Sequence, residues 1–177
     1  MAILKLGGKL FAEHNEQTDT VSLANDVVLP SIPVPAGHVI QVVYAESTTA
    51  TSITSTTQGS GTSTGLSATI TPVSSSNKFF ISYVGSFSLA THANPALSIE
   101  IYDGTSVVAT ENGGWGLYVN GDGNEADNQY KYPFQTYITP SGSGAITYTV
   151  RAWKFGNAVT AQPSSRLSTL TIMEIQQ

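Results

Sequence analysis

The sequence of 177 residues contains no cysteine. Disulfide bonds are therefore excluded, and a structural zinc site would have to use carboxylates and scattered histidines. The three histidines, His14, His38 and His92, are not spaced two or four residues from one another. The sequence predicts isolated polar histidines, with no metal site and no cofactor. The missing disulfides favour assembly in a reducing cytoplasm, followed by release.

Charged residues make up only 11% of the chain, against ~25% in an ordinary soluble domain. The formal net charge is -5, and the seven basic residues form no run or stripe, so the sequence predicts no nucleic-acid binding. Serine and threonine, at about a quarter of the chain, take the place of the missing charges. A surface rich in hydroxyl groups favours an extracellular or particle-bound protein over a cytosolic enzyme.

Long apolar runs and helical periodicity are also missing. No window approaches the ~20 apolar residues that a membrane span needs. Lys5 and Lys9 interrupt the apolar residues near the N-terminus, which lack the pattern of a signal peptide. No run of about 10–12 residues repeats its apolar positions with the helical period of 3.6. The sequence therefore predicts neither a membrane association nor an α-helical fold.

What the sequence has instead is an alternation of apolar and polar residues with a period of two, the pattern of half-buried β-strands. It is clearest in residues 96–102, where Leu97, Ile99 and Ile101 alternate with Ser98, Glu100 and Tyr102. Clusters of proline, glycine, serine and asparagine separate the runs. The predicted strands are residues 38–45, 51–58, 67–71, 79–86, 96–102, 135–139, 145–154 and 166–175.

About eight alternating strands predict an all-β fold, an antiparallel β-sandwich of the jelly-roll type with an extended N-terminal arm. An immunoglobulin-like sandwich is the alternative, although its paired cysteines are absent. Three prolines within residues 30–35 cannot continue a helix or a central strand. Residues 1–36 are therefore predicted to form the arm and its proline-rich linker, with β-like runs at 2–6 and 27–29. Residues 37–177 are predicted to form the sandwich domain.

Two local patterns are similar to catalytic or metal-binding motifs. Residues 61–65 match the G-x-S-x-G pattern of a nucleophile elbow, but that elbow requires a helix after it and none is predicted. Residues 120–131 carry Asn or Asp at the first three ligand positions of an EF-hand loop, yet Glu125 replaces the central glycine and Lys131 the final glutamate. The sequence predicts no catalytic residue, and it favours a solvated acidic loop over a looser calcium site.

Aromatic residues surround this acidic loop. Exposed rings beside carboxylates and amides can stack on the apolar faces of sugars while the polar groups bind sugar hydroxyls. The alternative, which the sequence favours, is that the rings cap one end of the core or contact a neighbouring subunit. The candidate glycan-binding residues are Trp115, Tyr118, Asp122, Glu125, Asp127 and Tyr130.

Four segments carry a resemblance to a known family: Pro35-Ala-Gly-His-Val-Ile-Gln-Val-Val43, Leu66-Ser-Ala-Thr-Ile-Thr-Pro72, Ser74-Ser-Ser-Asn-Lys-Phe79 and Ser168-Thr-Leu-Thr-Ile-Met-Glu-Ile175. Together they resemble virion structural proteins of tailed bacteriophages, a family of capsid decoration and fibre domains common among marine phages. The resemblance spans about residues 35–175. It implies a tail-fibre end domain or a small capsid or fibre protein, and the family has no catalytic motif to carry over.

Two hypotheses follow from the resemblance and the arm. The first is a non-enzymatic capsid decoration (cement) or small head-fibre protein at the virion surface. Its N-terminal arm would dock on the major capsid protein or another virion protein, since an extended segment can add strands to the edge of a partner's sheet. The second is a tail-fibre or receptor-binding tip that recognises a host-surface glycan.

Two further expectations concern assembly and catalysis. A homotrimer is predicted, with Val84, Trp153, Leu170 and Ile172 buried between subunits. An enzyme such as a depolymerase would need two carboxylates facing one cleft. Glu100 and its near neighbour Asp103 do not meet this need, because Glu100 is predicted to point out of its strand and Asp103 to begin a turn.

Overall fold

The computed structural model describes residues 2–6, 9–15, 20–23, 35–89, 96–111, 116–118, 128–156 and 158–177. The chain divides into two compact units, Met1–Pro33 and Val34–Gln177. The second unit is called the body below.

The first unit contains a small antiparallel sheet with the order β1-β2-β3. The sequence predicts an extended arm here, whereas the described residues of this unit pair with one another. The β-like run predicted at residues 27–29 lies outside the described residues. The three strands are β1 (Ala2–Leu6), β2 (Lys9–Asn15) and β3 (Thr20–Leu23).

The described part of the body is built from strands, joined by turns and by one short 3-10 turn at Pro163–Ser165. The strands are, in chain order, β4 (Val39–Ser47), β5 (Thr51–Ile53), β6 (Thr62–Ile70), β7 (Lys78–Leu89), β8 (Ala96–Tyr102), β9 (Val107–Thr110), β10 (Leu117–Tyr118), β11 (Asn128–Ile138), β12 (Ile146–Phe155), β13 (Val159–Ala161) and β14 (Ser168–Ile175).

Two antiparallel sheets face each other, which confirms the predicted β-sandwich. The first sheet has the order β4-β14-β7-β11, and the second has the order β6-β12-β8-β9. The short strands β13 and β5 continue the first sheet beyond the end of β14, and β10 lies beside β9 on the same edge of β8. Most connections between the long strands, such as those from β6 to β7 and from β7 to β8, cross from one sheet to the other, and this strand order is that of a jelly roll.

One hydrophobic core fills the space between the two sheets. Its largest side chains come from the middle of both sheets, and the rings of Phe79 and Tyr148 meet edge to face at 5.8 Å, a favourable aromatic geometry. Leu170 and Ile172 belong to this core, so the prediction that they lie between subunits is wrong. Both residues face the second sheet within the same chain, so neither is available to a neighbouring subunit.

The two ends of the body differ in what they carry. Ser47 pairs with Ser168, and Leu89 pairs with both Asn128 and Val159. The end where these residues lie is called the distal end. At the opposite, proximal end the backbone N–H of Gly37 donates to Gln176, so the chain enters the body beside its own C-terminus.

Candidate functional site

The described residues next to the predicted glycan-binding segment lie at the distal end of the body. Tyr118 in β10 pairs with Ala96 at the start of β8, and Ala96 also pairs with Phe155 in β12. Asn128, at the start of β11, pairs with Leu89. Both described residues that flank the segment 119–127 therefore lie at the distal end.

Two of the six predicted glycan-binding residues are described in the structure. Tyr118 is 41% exposed and lies on the outer face of the second sheet, since its neighbour Leu117 packs against the core. Tyr130 is half-buried in β11 and packs against the core from the first sheet. The two tyrosines thus belong to different sheets. The other four residues, Trp115, Asp122, Glu125 and Asp127, lie outside the described residues.

A carboxyl group that the sequence analysis missed precedes both tyrosines in the chain. Glu111 directly follows β9, and one of its carboxyl oxygens accepts a hydrogen bond from the Tyr132 hydroxyl. The other oxygen is buried and has no hydrogen-bond partner among the described residues. Burial raises the pKa of Glu111, an effect that a hydrogen bond with the backbone of Ile99 partly offsets. A carboxyl with a raised pKa and an unused oxygen can donate or accept one further hydrogen bond.

Gly116 makes room for this carboxyl group. A Cβ atom at position 116 would lie 1.8 Å from Oε2 of Glu111 and 2.6 Å from the Tyr132 hydroxyl oxygen. The backbone N–H of Gly116 also donates to the Ser98 hydroxyl over 3.4 Å. A side chain at position 116, just before β10, would therefore collide with Glu111 and Tyr132 in their present positions.

The outer face of the second sheet carries an aromatic pair at the distal end. Phe155 is 41% exposed, and its ring meets the ring of Trp153 with 5.0 Å between centroids. Trp153 is buried, and its indole N–H has no partner among the described residues. The sequence predicts Trp153 in an interface between subunits, whereas it is already buried within the chain. Tyr118, Phe155 and this indole therefore combine aromatic surface with a free hydrogen-bond donor.

A buried polar network fixes the connection between β13 and β14 across the same end. Gln162 has a left-handed backbone conformation (φ 49°). With its amide nitrogen turned towards Thr49 and Thr64, it donates to both carbonyl oxygens and accepts from the Ser168 hydroxyl at 3.0–3.1 Å. Ser168 also accepts the backbone N–H of Ser86 over 2.9 Å. No sequence motif signals this network, because its members are far apart in the chain.

The carboxylates considered for catalysis serve the fold instead. Glu100 lies on the outer face of its strand, as predicted, but it is fully buried there. It accepts the backbone N–H groups of Gly59 and Gly61 at 2.8 and 2.7 Å, because the chain before β6 crosses the outer face of the second sheet and covers it. Asp103 accepts the N–H groups of Thr105 and Ser106 at 2.8 Å, which closes the turn between β8 and β9.

The remaining motif-like residues that the structure describes make local hydrogen bonds. The G-x-S-x-G pattern at residues 61–65 runs into strand β6, and the hydroxyl of Ser63 accepts the N–H of Gly65 over 3.1 Å. His38 is exposed and contacts the carbonyl oxygen of Pro35. Within the described ranges, no three His, Asp or Glu side chains are grouped as metal ligands, and no helix there is long and apolar enough to cross a membrane.

Comparison with known proteins gives only distant structural likenesses. No protein-family model matches the chain, and no curated protein matches it. It is similar to the VP2 protein of infectious bursal disease virus in derived T=1 particles, with 15% identity, 86% of this chain and 40% of that chain covered, and a TM-score of 0.42. For the VP2 subviral particle of the same virus the values are 18%, 88%, 43% and 0.40.

A further likeness is to the C-terminal domain of EclA, described as a sugar-binding protein, with 14% identity, 82% of this chain and 84% of that chain covered, and a TM-score of 0.31. The chain spans less than half the length of the VP2 chains it matches. Likenesses at these values carry no inference about function, and the jelly-roll assignment rests on the strand order of the body itself.

Proposed function

We propose that the protein is a non-enzymatic virion structural protein of a tailed bacteriophage, a capsid decoration or small head-fibre protein at the virion surface. In this proposal residues 1–36 dock on the major capsid protein or another virion protein, and the body displays its distal end. The resemblance of residues 35–175 to phage virion proteins motivates the proposal.

The observation that carries this proposal is the unequal use of the two ends of the body. The chain enters at the proximal end beside its own C-terminus, and the proximal connections are short, such as Asp103–Ser106 between β8 and β9. The long connections, such as residues 48–61 and 156–167, leave from strand ends at the distal end. An end for attachment and an end for display are what a projecting module of a particle needs.

The buried carboxylates support a non-enzymatic role. Glu100 and Asp103 both have their oxygens engaged by N–H groups of neighbouring turns. Catalytic acids and bases need access to a substrate and a pKa near the working pH, and carboxylates held in this way stabilise turns instead.

The test is to locate the protein on purified particles of the phage that encodes it, by immunogold electron microscopy with an antibody against the body. Label spread over the head is the expected result. Label confined to the tail or to a single vertex would contradict decoration, and absence from purified particles would overturn the virion assignment itself.

A second candidate function, a tail-fibre or receptor-binding tip for a host-surface glycan, is favoured by the distal aromatic surface. Exposed Tyr118 and Phe155 lie beside the buried indole of Trp153, whose N–H has no partner among the described residues. Sugars offer apolar faces on which such exposed rings can stack. The acidic segment with Asp122, Glu125 and Asp127 begins directly after β10.

This second function is tested by binding of the labelled protein to host cells and to arrayed surface glycans. Tyr118→Ala and Phe155→Ala are each expected to weaken binding by about tenfold, the loss that one stacked ring of 1–1.5 kcal/mol implies. Val73→Ala is the control, because Val73 is also an exposed apolar side chain but lies in the turn after β6 at the proximal end. Equal loss in all three variants, or no binding by the unaltered protein, would exclude a distal glycan site.

Three of the four residues predicted to form the trimer interface are buried within one chain. Leu170 and Ile172 lie in the core, and Trp153 is buried within the chain. Val84 alone of the four is exposed. Any self-association would have to use residues other than Leu170, Ile172 and Trp153.

A further inference from the structure

The outer face of the first sheet carries most of the exposed apolar surface in the described part of the body. Nine large hydrophobic side chains are exposed there, and five of them lie on this one face. A contiguous apolar face of this kind marks an interaction surface. The five side chains are Val39, Val42, Tyr44, Val84 and Tyr137.

The register of the sheet aligns an apolar row across this face. Val42 in β4 pairs with Met173 in β14, Met173 with Phe80 in β7, and Phe80 with Tyr137 in β11. Each of these residues follows or precedes one that faces the core, so all four point outward. The row therefore crosses the sheet from one edge to the other.

The charged side chains of this face lie at its margins. Glu46 lies on the β4 edge towards the distal end, where it accepts a hydrogen bond from the Tyr44 hydroxyl over 2.7 Å. Lys131 lies on the opposite, β11 edge at the same end, and its ammonium group donates to the carbonyl oxygen of Leu167. Lys78 lies at the proximal end of β7 and contacts Thr139. The two distal corners thus carry opposite charges.

We propose that this face binds a second copy of the chain, face to face, about a two-fold axis parallel to the strands. Such an axis exchanges the β4 and β11 edges. It lays Val42 over Tyr137 of the second copy and Met173 over Phe80 of the second copy. It also brings Glu46 next to Lys131 of the second copy, twice in each dimer. The opposite corners of one face therefore become complementary neighbours.

A two-fold axis across the strands would not give this match. It would lay β4 of one copy on β4 of the other in the opposite direction, so that Glu46 would face the apolar row at Val42. A carboxylate covered by apolar groups without a partner is strongly unfavourable. Opposite charges at the two edges therefore select the parallel arrangement.

The parallel arrangement has a consequence for the particle. Rotation about an axis along the strands leaves both proximal ends on one side of the dimer and both distal ends on the other. The two points at which the chains enter the body, next to Gly37, then lie on one side of the dimer, and the two distal ends lie together on the other. The dimer does not depend on the proposed function, and it is tested with the purified full chain alone.

The first test is sedimentation velocity of the full chain over a range of micromolar concentrations. The unaltered protein is expected to form dimers, and Val42→Lys is expected to weaken dimerisation at least about tenfold, since it places a charge in the apolar row. Val73→Lys is the matched control, because Val73 is 71% exposed in a proximal turn outside this face. A monomer at all concentrations, or equal effects of both variants, would overturn the proposal.

The second test addresses the orientation of the two copies. Glu46→Lys and Lys131→Glu are each expected to weaken the dimer, and the double variant is expected to restore it. The chain has no cysteine, so Val42→Cys combined with Tyr137→Cys reports directly on the same geometry. Within one copy these positions are three strands apart, about 14 Å, and only a second copy can bridge them. Failure of both the charge rescue and the disulfide would refute the parallel two-fold arrangement.

Discussion

Glu174 shows at the scale of one residue how this body uses a buried carboxylate. Its oxygens accept the N–H groups of Val73 and Ser74 at 2.9–3.3 Å, the Asn77 amide at 2.6 Å and the Gln41 amide. Burial opposes ionisation, but the hydrogen bonds from Asn77, Gln41 and the two backbone groups outweigh it and hold the pKa of Glu174 below its usual value. One side chain thereby attaches the turn after β6 to the first sheet.

Replacing this carboxylate should lower stability in a pH-dependent way. Glu174→Gln puts an amide N–H against N–H donors, and we expect a loss of about 2 kcal/mol in the free energy of unfolding at pH 7. A carboxyl with a lowered folded pKa stabilises above its unfolded pKa, near 4.5, and loses this effect as the pH falls through the folded value. The difference between the two proteins should therefore shrink below about pH 4.5.

Urea unfolding of both proteins across this pH range measures the effect. Arg166→Gln is the control, since Arg166 is exposed and surface changes usually stay within about 0.5 kcal/mol. Equal stability losses in the two variants would show that the network around Glu174 does not hold the turn.

Gly85 is a second position where one atom decides the packing. A Cβ atom there would lie 2.1 Å from the Tyr83 hydroxyl oxygen and 2.5 Å from the Phe87 ring, two buried side chains that meet edge to face at 6.4 Å. Gly85→Ala should destabilise the protein by about 1–3 kcal/mol, the usual cost of overpacking a core. Thermal unfolding beside Gly142→Ala, where a Cβ atom meets nothing within 4 Å, measures it, and similar values for both variants would contradict this account.

The strand β8 shows at the scale of the element where alternation predicts correctly and where it does not. Its bounds, Ala96–Tyr102, agree with the predicted strand. The alternation implies one wet face, yet Ser98 and Glu100 are as buried as the apolar residues between them. The covering segment with Gly59 and Gly61 comes from far away in the chain, so no local pattern of β8 could reveal it.

The covering segment yields a prediction at the same scale. Glu100→Gln removes the charge that accepts the N–H groups of Gly59 and Gly61, and it should free residues 54–61 from the sheet. Amide hydrogen exchange is expected to accelerate at Gly59 and Gly61 by at least about tenfold, for a loss of 1.5 kcal/mol or more. The turn at Thr105 and Ser106 serves as the internal control, and equal acceleration at both places would indicate general unfolding instead.

Other elements were predictable to different degrees for physical reasons. The strands β7, β12 and β14 have long, clear alternation, and their predicted bounds are close to the observed ones. The sequence predicts only residues 135–139 as a strand, whereas β11 begins at Asn128. The prediction is too short because Pro133 signals a strand end in the sequence. In the structure Pro133 lies in an edge strand, where its missing N–H is tolerated. The short strands β5, β10 and β13 carry two or three residues each and follow from pairing with their neighbours.

The candidate site was predictable in part. Aromatic residues near the acidic segment led to Tyr118, which does lie exposed at the distal end. Glu111, Trp153 and Phe155 were missed as site residues, because strand pairing brings them to this end from different parts of the sequence. Sequence proximity finds the residues of one loop, whereas a site at the end of a sandwich draws on several.

At the scale of the whole molecule, the two ends of the jelly roll differ in the connections and side chains that they carry. The chain enters beside its C-terminus at the proximal end, and a separate unit of three strands precedes it. The distal end holds the long connections, the exposed aromatic rings and the buried network around Gln162. Under the proposed function, residues 1–36 would dock on the particle and the distal end would be displayed.

The copy number of the protein per purified phage particle tests this account most directly, measured by quantitative mass spectrometry against the major capsid protein. A decoration protein on the capsid lattice is expected at a ratio near one copy per capsid subunit, or one per few subunits. A handful of copies per particle would contradict it and would assign the protein to the tail or a vertex, with the distal end as its receptor-binding surface.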